Sequence, residues 1–73
     1  MQKLTAKQFW KAIEERTSED AADFGWDGIA EEDLPGVIAM KEDDARVYVC
    51  ADLDATAAYV QREWDAFRTR GDV

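Results

Sequence analysis

Two short segments rich in β-forming residues constrain the fold of this chain more than any other feature, because together they predict a β-hairpin. The first strand is predicted at 37–41 and the second at 46–51, joined by a four-residue turn at 42–45. A two-stranded hairpin alone is only marginally stable in water, so helices or a third strand must cover it. Residues 26–30, in a turn-rich stretch, are a candidate for a short third strand.

The N-terminal part of the chain carries the signals of two helices. Thr5, with Gln8 three residues later, forms a capping box at the start of the first helix. Ser18 is a candidate N-cap for a short second helix over 19–24, with Gly25 as its stop. The buried stripe of the first helix follows the i, i+3, i+4, i+7 rule and contains Ala6, Phe9, Trp10 and Ile13.

The C-terminal part predicts one longer helix and completes the fold class. Asp54 is its predicted N-cap, the helix runs to about Arg70, and Gly71 ends it. The chain is therefore predicted to be an α+β protein, a two-layer domain in the order α–(short α)–β–β–α with a small antiparallel sheet. We expect one domain over residues 1–73. The buried stripe of the last helix contains Ala57, Val60, Trp64 and Phe67.

Composition limits where the protein acts. Cys50 is the single cysteine, which excludes an internal disulfide and fits a reducing compartment. The N-terminus lacks the apolar stretch of a signal peptide, and no apolar run approaches the roughly 20 residues of a membrane span. We therefore expect a cytoplasmic protein, in a bacterial host.

Catalysis and metal binding have little support in the sequence. The chain has no histidine, which removes the commonest general base, the commonest metal ligand and an activating partner for Cys50. No window has the alternating aspartates, glycine and final glutamate of a calcium loop. We expect no enzyme activity, no metal and no cofactor.

Charge is the strongest functional signal. Residues 14–54 hold fourteen acidic and three basic residues, a local net charge of −11 in a chain whose total is −8. Within 17–40 there are seven carboxylates and no lysine or arginine. Such an array presents an anionic surface to a cationic partner.

A row of carboxylates can take the place of phosphates in a groove built to hold nucleic acid. The expected partner is a basic nucleic-acid-binding protein, with no direct binding to nucleic acid or to a membrane. Trp26, in a turn-rich segment, is the candidate apolar anchor. The carboxylates predicted to carry the electrostatics are Glu19, Asp20, Asp23, Asp27, Glu31, Glu32, Asp33, Glu42, Asp43 and Asp44.

The chain resembles the small acidic, DNA-mimicking anti-CRISPR proteins encoded by phages, in particular the type I-C inhibitors. The resemblance is one of class and rests on the acidic block, the Gly36–Ala51 hairpin and the closing helix with Ala57-Ala58-Tyr59 and Trp64. It implies binding to a Cascade subunit at the lysines and arginines that grip target DNA, which blocks recognition of the protospacer-adjacent motif. The N-terminal lysines depart from a uniformly acidic mimic, so we expect the first helix to face away from the partner.

Other interpretations of the acidic surface stay open. An immunity or antitoxin protein that neutralises a basic nuclease or toxin would use the same electrostatics. A small structural domain with an incidental acidic surface would have no salt-sensitive partner. The protein is expected to be a monomer or a homodimer, in which a second copy would cover a sheet face formed by Ile38, Met40, Tyr48 and Cys50.

Overall fold

The computed structural model describes residues 2–71, with the side chains of residues 3–70, and it confirms the α+β class. A small antiparallel sheet packs against helices that both precede and follow the hairpin. The elements are β1 (Gln2–Thr5), α1 (Ala6–Arg16), α2 (Glu19–Gly28), a 3-10 turn (Glu31–Asp33), β2 (Val37–Glu42), β3 (Ala45–Cys50) and α3 (Leu53–Gly71).

The sheet has the strand order β1-β3-β2, so the second hairpin strand is the central one. β1 pairs antiparallel with β3, from Gln2 opposite Cys50 to Thr5 opposite Val47. The third strand is therefore β1, and the short strand predicted at 26–30 is wrong. Those residues instead form the last turn of α2 and the chain that leaves it.

The hairpin turn is tighter than predicted. β2 runs on to Glu42 and β3 begins at Ala45, which leaves a two-residue turn instead of the four-residue turn expected at 42–45. Asp43 and Asp44 have φ values of 49° and 65°. Two successive left-handed residues are the signature of a type I′ turn, whose twist matches that of the flanking strands. Aspartate tolerates this conformation better than most residues do, and this is why an Asp-Asp pair can close the hairpin.

Helix α2 continues through the glycine that was predicted to end it. Ser18 is confirmed as its N-cap, since the Ala21 N–H donates to the Ser18 hydroxyl at 3.1 Å. Gly25 lies buried inside the helix, where a Cβ atom would come within 2.6 Å of the Trp10 ring and 3.2 Å of a Val60 methyl group. The glycine is thus required for the close approach of α2 to α1 and α3, and the prediction of a helix stop is wrong.

Of the two other predicted helix starts, that of α1 is confirmed and that of α3 is wrong. The capping box of α1 is present: the Gln8 N–H donates to Thr5 Oγ1 at 3.2 Å, and the Thr5 N–H donates to Gln8 Oε1 at 3.0 Å. Helix α3 begins at Leu53, two residues earlier than an N-cap at Asp54 implies. The Ala55 N–H of its first turn donates to the Asp52 carboxylate at 3.2 Å. Asp54 is not the N-cap.

The core lies between the sheet and the three helices. Phe9 and Ile13 of α1 and Val60 of α3 are fully buried, and the Phe9 ring lies 4.7 Å from that of Tyr48 on β3. The predicted stripe of α3 is only half correct. Ala57 and Val60 are buried, but Trp64 is half-buried and Phe67 is exposed, so the C-terminal part of α3 extends beyond the main core.

The two faces of the sheet have different surroundings. Tyr48 and Cys50 point into the core, whereas Ile38 and Met40 are exposed on the opposite face. The register explains this, because Ala39 rather than Ile38 lies opposite Tyr48. The single sheet face proposed from the sequence for a second copy, formed by Ile38, Met40, Tyr48 and Cys50, therefore does not exist.

Candidate acidic binding surface

All of the predicted partner-binding residues lie at the protein surface. Glu31 alone among them is half-buried, and the other ten side chains are exposed. They do not form one group. The fold distributes them over helix α2, the 3-10 turn and the tip of the hairpin, with Glu19, Asp20, Asp23, Trp26 and Asp27 on α2, Glu31, Glu32 and Asp33 on the 3-10 turn, and Glu42, Asp43 and Asp44 at the hairpin tip.

The largest group is the acidic ridge, which we define as Glu19, Asp20, Asp23 and Asp27 on the solvent side of α2. The opposite side of this helix is buried through Ala21, Ala22 and Gly25, so helical periodicity directs the four carboxylates outward. Among the described residues, no lysine or arginine forms a salt bridge with any of the four.

The acidic ridge has a linear charge density similar to that of a nucleic-acid strand. Eight residues separate Glu19 from Asp27, which corresponds to about 12 Å of helix at a rise of about 1.5 Å per residue. One strand of B-DNA carries about one phosphate per 3.4 Å of axis. Four carboxylates in this length give a similar spacing.

The 3-10 turn and the hairpin tip are partly neutralised by nearby bases. Glu31 is ion-paired with Arg46 of β3, and Glu42 is ion-paired with Lys3 of β1. Lys41 and Arg46 also line a shallow groove with Glu31, between the turn and the hairpin. Basic side chains thus lie between these two acidic groups. Within the part of the chain that the structure describes, the carboxylates of Glu32, Asp33, Asp43 and Asp44 have no salt-bridge partner.

Trp26 is exposed, as the anchor hypothesis requires, but its neighbours on one side are lysines. Its side chain is 54% exposed, and its ring lies 5.9 Å from that of Trp10. These two rings belong to the tryptophan groove, which we define as a groove of about 590 Å³ between α1 and α2. Its remaining lining consists of Lys7, Gln8, Lys11, Glu14, Ala22 and Asp23.

Lys11 on the rim of the tryptophan groove is held in place by an ion pair. Lys11 Nζ donates to Glu14 Oε1 at 3.1 Å. This hydrogen bond and the charge of Glu14 raise the pKa of Lys11 above its usual range. Lys11 therefore remains a cation paired with Glu14, and the charged lining of the groove is balanced, with two lysines against Glu14 and Asp23.

A second groove, on the other side of α2, was missed by the sequence reasoning. We call it the aromatic groove and define it by Phe24 of α2 and by Trp64 and Phe67 of α3. The Phe24 ring lies 5.5 Å from that of Trp64 and 4.9 Å from that of Phe67. The groove has a volume of about 420 Å³, and its other lining residues are Asp20, Asp23, Asp27 and Gly28.

The sequence assigned Trp64 and Phe67 to the core because their helical spacing continues that of the buried Ala57 and Val60. The only available signal of a surface role was the length of the C-terminal helix, 19 residues against the 11 of α1. A helix that extends beyond the helix it packs against exposes the apolar residues of its last turns. The position of Phe24 against these rings depends on the packing of α2 on α3, which no local pattern encodes.

Metal-binding and membrane-spanning features are absent from the part of the chain that the structure describes. No three acidic or cysteine side chains among residues 2–71 are grouped closely enough to hold a metal ion. Cys50 is buried, with its sulfur 3.5 Å from the Thr56 hydroxyl. None of the described helices has the length and apolar character needed to cross a bilayer.

Comparisons with known proteins identify no relative of this chain. Searches with family models, against curated proteins and against solved structures each found no match to this chain.

Proposed function

We propose that this protein is a non-enzymatic inhibitor that occupies the basic groove of a nucleic-acid-binding protein in place of DNA. The observation that carries the proposal is the acidic ridge on α2, from Glu19 to Asp27. It combines a charge spacing close to that of a DNA strand with the lack of any intramolecular salt bridge among the described residues.

The rigidity of the ridge supports this function. Helix α2 is closely packed at both flanks, since the space at Gly25 between Trp10 of α1 and Val60 of α3 is too small for a Cβ atom. Carboxylates on a fixed helix keep their spacing when they bind, so little conformational entropy is lost on association. The carboxylates of the 3-10 turn and of the hairpin tip add to the negative field that steers a basic partner.

The resemblance to type I anti-CRISPR proteins makes a Cascade complex the partner that we propose. In this role the acidic ridge contacts the lysines and arginines of a Cascade subunit that would otherwise hold the duplex beside the protospacer-adjacent motif. Competition for this groove prevents recognition of target DNA without any chemical reaction. The proposed mechanism therefore requires no cofactor.

A displacement experiment tests this function. Purified type I-C Cascade is bound to a fluorescently labelled target duplex, and the anisotropy of the label is followed as the protein is added. We expect release of the duplex at low salt. Release should require much more protein at about 0.5 M salt than at about 0.05 M, because the screening length falls with ionic strength. An unchanged anisotropy at both salt concentrations would contradict the proposal.

Two charge-reversal variants show whether displacement of DNA depends on the acidic ridge or only on the net charge. Asp23→Lys with Asp27→Lys reverses two charges of the acidic ridge, and Glu32→Lys with Asp33→Lys reverses two charges of the 3-10 turn. Both variants have the same total charge. The proposed function requires the ridge variant to displace DNA far less effectively than the 3-10 turn variant does. An equal reduction in both variants would mean that only the net charge matters.

A further inference from the structure

We infer that the aromatic groove is the docking site for an arginine-bearing segment of the partner protein. This inference rests on the proposed function, since it specifies how the partner of the acidic ridge is held. It moves the apolar anchor from Trp26 to Phe24, Trp64 and Phe67.

The aromatic groove exposes a cluster of large apolar side chains to solvent. Phe67 is 50% exposed, and it stacks at 6.0 Å and 21° on the half-buried Trp64. Phe24 completes the cluster from α2. Three adjacent aromatic rings open to solvent on one side are typical of the centre of a binding surface, where rigid rings contribute contact area at little entropic cost.

Charge complementarity identifies the occupant. The rings share their groove with Asp20, Asp23 and Asp27, and its lining includes no lysine or arginine from the residues that the structure describes. These three aspartates belong to the acidic ridge and have no salt-bridge partner among the described residues. An apolar floor with an anionic wall on one side fits a segment that carries both apolar and cationic groups.

Arginine fits this combination better than lysine does. Its planar guanidinium stacks on aromatic faces and donates two parallel hydrogen bonds to a carboxylate. Rings and carboxylates adjoin each other in the aromatic groove, so one guanidinium can lie on a ring while its N–H groups face an aspartate. A lysine ammonium has no flat face and is more strongly hydrated, so it gains less from the same surroundings.

The tryptophan groove is an internal comparison, because it also has an exposed aromatic ring, that of Trp26, but is lined by Lys7 and Lys11. Its charged lining is balanced, with Lys7 and Lys11 against Glu14 and Asp23, so it offers a cationic segment no net attraction. If aromatic exposure alone governed docking, both grooves would accept the same segment. The inference therefore requires selective occupation of the aromatic groove.

The test uses the indole N–H signals of the intact protein in a two-dimensional ¹H–¹⁵N spectrum. The chain has three tryptophans, so three signals report separately on Trp10, Trp26 and Trp64 once each is assigned with a Trp→Phe variant. The probe is a short acetylated peptide amide of arginine, leucine and glycine. Its control is the peptide with lysine in place of each arginine.

We expect the arginine peptide to shift the Trp64 signal in a saturable way and to leave the Trp26 signal unchanged. The lysine peptide should bind several-fold more weakly. Phe67→Ala, which removes an exposed ring, should weaken binding of the arginine peptide by up to about tenfold, a loss between those of an exposed and a fully desolvated cation–π contact. Asp23→Asn with Asp27→Asn should have an effect of similar size without changing side-chain volume.

Three results would overturn the inference: no shift at Trp64, an equal shift at Trp26, or equal binding of the two peptides. The peptide experiment needs no Cascade, so its outcome is independent of the displacement experiment. Displacement of DNA without a shift at Trp64 would reject the docking site and leave the proposed function standing. A selective shift at Trp64 without displacement of DNA would support the docking site and reject the proposed function.

Discussion

The two grooves that flank helix α2 share their aromatic character and differ in charge. The tryptophan groove joins Trp10 and Trp26 beside two lysines, whereas the aromatic groove joins Phe24, Trp64 and Phe67 beside three aspartates. If the proposed docking is correct, exposed aromatic area alone does not define the binding surface of this protein. We expect the charge that lines each groove to determine which partner can enter.

The difference follows from the sequence of α2 itself. The helix places Gly25 against the core, Trp26 toward α1 and Phe24 toward α3. Its carboxylates then line the α3 side more densely than the α1 side, where Asp23 alone reaches the groove. Lysines of α1 provide the opposite charge across the tryptophan groove. One ten-residue helix thus forms a wall of two grooves that differ in charge, one balanced and one anionic.

The largest expected effect comes from reversing charge on the α3 side of α2. Asp23→Lys with Asp27→Lys should reduce displacement of target DNA from Cascade by about 100-fold, since two close ion pairs at about 1.4 kcal/mol each correspond to this factor. Glu32→Lys with Asp33→Lys should reduce it by no more than about threefold, measured by the same anisotropy titration. Circular dichroism of both variants establishes that the fold is intact.

A substitution at Gly25 should damage both grooves at once. Gly25→Ala places a methyl group 2.6 Å from the buried Trp10 ring, so we expect a loss of about 2 kcal/mol in the free energy of unfolding. Urea denaturation followed by tryptophan fluorescence measures it. Gly28→Ala is the control, because its methyl group meets only the Phe24 ring at 3.0 Å and the helix gains propensity. A Gly25→Ala variant as stable as the control would contradict the close approach of the helices.

Truncation of one exposed ring on each side compares the grooves directly. Trp26 and Phe67 are exposed to a similar extent, 54% and 50%. Phe67→Ala should weaken binding to Cascade by up to about tenfold, whereas Trp26→Ala should change it by less than about twofold. Isothermal titration calorimetry provides both dissociation constants. A larger loss of affinity for Trp26→Ala than for Phe67→Ala would indicate that Trp26 is the apolar anchor.

The smallest expected effect concerns the hairpin tip, which lies outside both grooves. Asp43→Asn with Asp44→Gly replaces two aspartates of positive φ by residues better suited to a type I′ turn. We expect the free energy of unfolding to rise by about 0.5–1 kcal/mol, measured by urea denaturation. Displacement of DNA should fall by only about twofold, because two charges distant from the ridge are lost. A larger loss of displacement would place the tip in the interface.

Local signals in the sequence predicted the elements better than their arrangement. The capping box of Thr5 and Gln8 and the N-cap Ser18 were correct because each depends on a few adjacent residues. Gly25 was misassigned as a stop because its role depends on Trp10 and Val60, which are distant in sequence. The N-terminal strand was missed because four residues preceding a capping signal have no periodicity of their own and are defined by their pairing with β3.

The candidate site was predictable as a composition but not as a geometry. The carboxylates of the acidic ridge were listed from the sequence, but the predicted helix over 19–24 left Asp27 outside it. The aromatic groove beside it depends on contact between Phe24 of α2 and Trp64 of α3, two residues that are 40 positions apart in the chain. Salt bridges from Lys3 and Arg46 to the other acidic groups likewise arise only from the fold. The sequence therefore revealed neither the ion pairs of Glu31 and Glu42 nor the aromatic groove.

Mutual exclusion between the protein and DNA tests the central claim most directly. Type I-C Cascade is prepared both free and saturated with target duplex, and the binding of the protein to each form is measured by isothermal titration calorimetry at low salt. If the acidic ridge occupies the DNA groove, the protein should bind free Cascade and show no heat of binding with the DNA-saturated complex. Equal affinity for both forms would contradict the account.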